Sequence, residues 1–242
     1  MRTILFALLL LISINALFAQ TILIKQTDGT YLEISYDNKV EISFLVNTPC
    51  FEAPTVVYAG KTYNTIQIGS QCWLKENLNV GTRIDGGINQ TSGNGIEKYC
   101  YFDNDANCTI YGGLYQWNEA MNYSASGSNV QGICPSGWHI PTKTEFETLK
   151  AAVGNDGNRL KAVGQGTGSG AGTNTSGFSA LLAGFRNGSG LFANLSNNTY
   201  FWSSIEYDAT LAYNPNMGGS SSSITLSSYN KEDGFSVRCL KN

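Results

Sequence analysis

The chain contains one histidine, His139, between Trp138 and Ile140. Acid–base catalysis there would need a nucleophile and an orienting carboxylate within reach. No Gly-x-Ser-x-Gly elbow accompanies it, so a structural histidine hydrogen-bonded to backbone is expected. Carboxylate pairs such as Glu206 with Asp208 or Asp233 could hydrolyse glycosides only at a particular spatial separation, which sequence does not supply. Asp103, Asp105 and Asn107 place oxygens at alternate positions, as calcium loops do. The pattern then breaks, because Cys108 stands where the turn glycine belongs and Leu114 where the bidentate glutamate belongs. That favours a disulfide-closed polar loop; no cofactor is expected, calcium on these three residues being the alternative.

Recognition chemistry is densest after residue 197. Tyr200, Trp202, Tyr207, Tyr213 and Tyr229 are interleaved with Asn198, Asp208, Asn214 and Asn216. Tyrosine and tryptophan offer broad, rigid contact with a polar handle, and Asn and Ser add adaptable hydrogen bonds. Trp202, beside Phe201, reads as core, as do Trp73, Trp117 and Trp138. The expected ligand set is therefore Tyr207, Asp208, Tyr213, Asn214, Asn216 and Tyr229. Asn214-Pro215-Asn216 by itself is an ordinary turn string.

The elements that must position these residues start from an unusual composition. Of 242 residues only 14% are charged, with a net charge of −3, whereas 42% are hydrophobic and 12% aromatic. Gly, Ser, Thr and Asn together supply about 39% of the chain. This excludes a helical bundle or coiled coil, and the mild acidity argues against a nucleic-acid partner. Arg2, the apolar run from Ile4 to Ile12 and Ala16-Leu17-Phe18-Ala19 form a secretory signal pattern over residues 1–19. No later apolar run is long enough to span a bilayer. Six cysteines in an exported chain suggest three disulfides, for which 15 pairings exist. Cys100 and Cys108 bracket a short loop and are the natural pair by proximity. No Cys-x-x-Cys occurs, which argues against redox catalysis and zinc.

Residues 20–48 read as a short β segment, a meander in which Ile22 to Ile24, Tyr31 to Tyr36 and Val40 to Val46 are strand-like runs split by Asp28-Gly29 and Asp37-Asn38. Residues 49–55, with Pro49 and Pro54, read as a linker, and residues 56–242 as the main domain. Within it, Leu114, Trp117 and Met121 suggest a helix over Gly113 to Asn122. Thr142 and Glu145 form a capping box ahead of Phe146, Leu149 and Val153, with Gly154 as the stop. Gly164 to Gly177 holds six glycines and reads as a flexible loop, since neither a Walker pattern nor a dinucleotide fingerprint surrounds it.

Several strings in order resemble the Fibrobacter succinogenes major paralogous domain family over about residues 56 to 241. They include Gln67-Ile68-Gly69-Ser70-Gln71-Cys72-Trp73-Leu74-Lys75-Glu76-Asn77-Leu78, Tyr111-Gly112-Gly113-Leu114-Tyr115-Gln116-Trp117, Cys134-Pro135-Ser136-Gly137-Trp138-His139, Phe201-Trp202-Ser203-Ser204 and Gly234-Phe235-Ser236-Val237-Arg238-Cys239. The resemblance implies an α+β, C-type-lectin-like fold: two helices flanking a small antiparallel sheet with long loops, here preceded by the β meander. It also implies pairing Cys134 with Cys239, which leaves Cys50 for Cys72. Asn214-Pro215-Asn216 is similar to the Glu-Pro-Asn of calcium-dependent lectins but lacks the acid. The formylglycine-generating relatives of this architecture need reactive thiolates that six paired cysteines would not leave. Fold does not assign function. The expectation is a non-enzymatic binding module, secreted or at the bacterial cell surface, whose C-terminal loops recognise a glycan or a protein. The alternatives are an exported polysaccharide-acting hydrolase and a structural adhesion protein.

Overall fold

A computed structural model of the protein describes residues 20–25, 31–36 and 48–242. The chain divides into two compact units, Met1–Phe44 and Leu45–Asn242. In the first, β1 (Gln20–Lys25) and β2 (Tyr31–Tyr36) pair antiparallel, with Gln20 opposite Tyr36 and Lys25 opposite Tyr31. Two of the expected meander runs are thus strands. The third, Val40 to Val46, and the signal segment 1–19 lie outside the described residues.

The second unit is mixed α and β, mostly strands, with three α-helices among the described residues. Its first sheet is built from β3 (Thr55–Tyr58), β4 (Lys61–Ile68) and β5 (Gln71–Leu74). The short strands β6 (Thr82–Arg83) and β7 (Glu97–Lys98) pair parallel to each other. Then come α1 (Asp105–Tyr111), α2 (Trp117–Ala120), β8 (Trp138–His139) and α3 (Lys143–Ala152). The C-terminal third supplies β9 (Ala183–Arg186), β10 (Phe192–Leu195), β11 (Asn198–Tyr200), β12 (Leu211–Gly218), β13 (Ile224–Asn230) and β14 (Leu240–Lys241). Two five-stranded sheets result, in the orders β3-β4-β5-β14-β8 and β10-β9-β11-β12-β13.

The helix α3 forms as its sequence dictates. Thr142 Oγ1 accepts from the Glu145 N–H at 3.2 Å, and Glu145 Oε2 accepts from the Thr142 N–H at 2.7 Å. Phe146, Leu149 and Val153 are buried, and Gly154 takes φ +66°, the left-handed stop. Two expectations need correction. The helix anticipated over Gly113 to Asn122 is only the four residues of α2, because Leu114 and Tyr115 instead bridge to Tyr99 and Phe235 in extended conformation. A further helix, α1, occupies the polar stretch after Asn104, whose side chain accepts from the Ala106 N–H at 3.0 Å and caps it.

Asn214-Pro215-Asn216 is likewise not a turn: it lies inside β12, paired to β13 on one side and β11 on the other. Pairing on both edges overrides the local turn preference of the string. The 164–177 stretch is a loop, tied by backbone bonds from Thr167 N–H to Gly219 and from Gly172 N–H to Gln165. Its glycines answer to space. A Cβ on Gly170 would lie 2.3 Å from the Gly219 carbonyl oxygen, and one on Gly166 the same distance from that of Gly170.

All four tryptophans are buried, as expected. One core cluster gathers Tyr63, Tyr115, Trp117, Trp138, Trp202 and Phe235; a second packs Trp73, Phe146, Phe178 and Phe201 around α3. The indole N–H groups of Trp202 and Trp117 donate to the carbonyls of Tyr115 and Ser203 at 2.7 and 2.8 Å, so burying them leaves no orphan donor there. Three disulfides close the unit: Cys50–Cys72, Cys100–Cys108 and Cys134–Cys239. Residues 48–54 are bound to β4, with the Thr48 carbonyl accepting from Gln67 N–H and Cys50 N–H donating to Thr65 Oγ1.

Three buried cations have backbone carbonyls among their partners. Lys161 Nζ donates to the carbonyls of Gly170, Gly218 and Ser221. Arg186 reaches those of Gly86 and Glu232, and Arg238 those of Leu74 and Phe178. None of the three makes an ion pair among the described residues.

Candidate functional site

The six residues expected to bind ligand do not form one surface. Successive side chains on a strand point to opposite faces, and the register sets Tyr213 opposite Ser228 but Ala212 opposite Tyr229. Tyr213 therefore lies on one face and Tyr229 on the other. On the first face, Tyr207 meets Tyr213 edge-on, with ring centroids 5.4 Å apart and planes at 86°. The Lys143 ammonium, at the start of α3, sits 5.0 Å from the Tyr213 ring centre. Tyr207 is 57% exposed.

Asp208 builds the turn that carries Tyr207. Its Oδ1 accepts from the N–H groups of Thr210 and Leu211 at 2.7 and 2.8 Å and from the Thr210 hydroxyl at 2.9 Å. Those backbone bonds hold its carboxyl below the usual aspartate range. The neighbouring Glu206 is occupied by Lys231 Nζ at 2.6 Å. Lys231 in turn lies 4.6 Å from the Trp117 ring centre, which ties the loop to the core. The result is a notch between two perpendicular phenol rings, Tyr207 on the fixed turn and Tyr213 on β12, with Lys143, itself paired with Glu147 at 3.1 Å, beside it.

The other face is largely closed. Asn214 is fully buried, so the expectation that it contacts a ligand is corrected: its Oδ1 accepts from Asn216 Nδ2 at 3.3 Å. Asn216 is half-buried and also faces Ser227 Oγ at 3.4 Å. Tyr229 is 36% exposed, as expected of a surface candidate, and packs edge-on against Tyr200 and Phe235 at 5.6 and 5.7 Å at the margin of the core.

The candidate calcium residues are dispersed among other tasks. Asp103 Oδ1 accepts from Gly86 N–H at 2.8 Å, Asp105 pairs with Arg83 Nε at 2.9 Å, and Asn107 Nδ2 donates to the Tyr101 carbonyl at 2.8 Å. Among the described residues no group of three or more His, Cys, Asp or Glu could hold a metal ion.

His139 is buried, but its partners are side chains and not backbone. Nδ1 lies 2.7 Å from Asn242 Oδ1 and Nε2 lies 3.1 Å from Glu145 Oε1. Burial alone would depress its pKa; the hydrogen bonds to Glu145 and Asn242 outweigh this and raise it. With the amide oxygen and the carboxylate both accepting, the doubly protonated ring satisfies both contacts. Glu145 responds in the opposite sense: burial pushes its pKa up, but the hydrogen bonds from His139 and Thr142 prevail and lower it.

A buried carboxylate pair that sequence reasoning missed joins β7 to α2. Glu119 Oε1 accepts from Glu97 N–H at 2.8 Å, and its Oε2 accepts from the Tyr123 hydroxyl at 2.9 Å. Burial raises the Glu119 pKa, against the lowering effect of those two bonds. Glu97 Oε2 accepts from Thr91 N–H at 2.9 Å. These bonds fasten the 91–97 loop to α2. Only spacing across 22 residues connects the two glutamates in the sequence, so no local pattern announced them.

Two strand-rich sheets, short helices and three disulfides define a covalently closed α/β domain suited to an oxidising extracellular or periplasmic compartment. Among the described residues no helix is long and apolar enough to cross a membrane. The chain belongs to the Fibrobacter succinogenes major domain family, whose family model matches residues 66–241. No curated protein and no solved structure matches the chain.

Proposed function

We propose that the protein is an exported, non-enzymatic binding module, led out of the cytoplasm by residues 1–19, with a C-type-lectin-like arrangement of its sheets and loops. Its ligand is a glycan, taken up at the Tyr207–Tyr213 notch. The observation that carries this reading is an exposed tyrosine ring held perpendicular to a second ring on a hydrogen-bonded turn. Such a ring offers a sugar face an apolar platform with little conformational entropy left to lose. Lys143 and the free Asp208 oxygen can reach hydroxyls at its rim. Calcium has no part in this recognition.

Affinity electrophoresis through immobilised polysaccharides, with and without EDTA, tests the reading. Wild-type protein is expected to be retarded equally in both conditions without releasing reducing ends, and Tyr207→Ala to run unretarded. Released reducing ends would favour a hydrolase. Self-association or cell attachment with no retardation would favour a structural adhesion protein.

A further inference from the structure

A cavity of about 320 Å³ opens between the start of β4, the segment after β5 and the end of α1. None of its lining residues belongs to the tyrosine notch. Lys61 and Lys75 stand at its walls with Glu76, and Arg238 lies at its base. The Arg238 guanidinium is buried and directed inward: Nε and Nη2 donate to Asn77 Oδ1 at 3.1 and 2.7 Å, and Nη1 to the carbonyls of Leu74 and Phe178. Burial lowers its pKa to about 9, with the nearby Glu76 opposing that fall. No carboxylate is hydrogen-bonded to it.

Glu76 offsets only one of these three positive charges, and neutral donors hold its oxygens. Its Oε2 accepts from Asn64 N–H at 2.9 Å and its Oε1 from Asn64 Nδ2 at 2.8 Å. Neither the Lys61 nor the Lys75 ammonium has a hydrogen bond or ion pair among the described residues; Lys61 only lies over the Tyr63 ring at 4.9 Å. The cavity thus holds three cations against one carboxylate that is already engaged. A partly desolvated concavity with excess charge of one sign focuses its field on the missing counter-ion. Lys61 is itself partly desolvated: burial depresses its pKa, Glu76 opposes that fall and Arg238 adds to it.

We propose that this cavity binds an oxyanion, a carboxylate or sulfate carried on a molecule the size of one sugar ring, with Lys61 and Lys75 as its ligands. The volume sits at the small end of ligand pockets, which suits a monosaccharide acid and not a polymer lying lengthwise. Each lysine would supply one charge-assisted hydrogen bond, so removing either is expected to weaken binding by about 10- to 100-fold.

Titration calorimetry of the full-length protein at fixed ionic strength provides the test, with glucuronate, glucose 6-sulfate, inorganic sulfate and neutral glucose as probes. Binding of the two acidic sugars, no heat from glucose, and loss of affinity in both Lys61→Gln and Lys75→Gln are expected. Inorganic sulfate binding as tightly as the sugar sulfate would support the oxyanion site and identify the free ion as its source. No binding of any anion to wild-type protein overturns the proposal. So does unchanged anion affinity in Lys75→Gln, a variant whose lost side chain packs on no ring and whose fold is to be checked by circular dichroism alongside.

Discussion

Replacing Cys134 and Cys239 together by alanine is expected to destabilise the domain more than replacing Cys100 and Cys108. The two bridges close loops of very different length, with sequence separations of 105 and 8. All four cysteines are buried, so the cost of deleting the buried sulfur atoms is similar in the two variants and largely cancels in their comparison. What remains is the freedom returned to the unfolded chain, which grows as 1.5R ln n. For these two loops the difference is about 2 kcal/mol at 25 °C. With a urea dependence of about 2 kcal/mol per molar, the two midpoints should lie about 1 M apart, the Cys134/Cys239 variant lower. Equilibrium urea unfolding followed by the fluorescence of the four buried tryptophans measures both. Coincident midpoints, or the reverse order, would refute the idea that chain entropy governs what these bridges contribute.

The His139–Glu145 contact makes stability pH-dependent. The folded pKa of His139 is raised, so its contribution is complete below the unfolded value of about 6.5 and is lost as pH rises through the folded one. Glu145, lowered in the fold, contributes above about pH 4.3 and loses its contribution as pH falls through its folded value. Melting temperature is therefore expected to decline as pH rises from about 6.5 in wild-type protein and to stay level in His139→Gln; equal slopes in the two proteins would count against the doubly protonated ring. Lys161→Met keeps the unbranched apolar stem but lacks the ammonium, leaving the carbonyls of Gly170, Gly218 and Ser221 facing a methyl group. A loss of about 3 kcal/mol or more is expected in urea unfolding, and a loss under about 1 kcal/mol would mean that water replaces the ammonium without penalty.

Where a signal was local, the sequence carried it. The capping box at Thr142 and Glu145 lies within four residues and marks α3, and Phe146, Leu149 and Val153 mark its buried face. Trp202 was readable as core from Phe201 beside it, and all four tryptophans lie in strings shared with the family. By contrast, α1 runs through Asp105, Asn107 and Thr109 with one buried residue, Cys108, so no apolar stripe announced it; its Asn104 cap was hidden in a string that also fits a cation loop. The candidate site was half legible. Tyr207 and Tyr213 are near in sequence and meet in space, but Tyr229 falls on the opposite face because a register of Ala212 with Tyr229 is a property of strand pairing, which composition does not encode. The Lys61 and Arg238 cavity draws on residues 177 positions apart, beyond the range of any motif.

The carbonyl partners of Lys161, Arg186 and Arg238 carry a consequence for how this domain can vary. A clamp that grips carbonyl oxygens is indifferent to which side chain follows them, since every residue type presents the same oxygen. Of the loop positions so gripped, Ser221 and Glu232 can change identity without loosening the hold, whereas Gly170 is restricted by the closeness of Gly219. The architecture is therefore locked through the main chain, and the outward side chains of the loops it fixes are released to diversify.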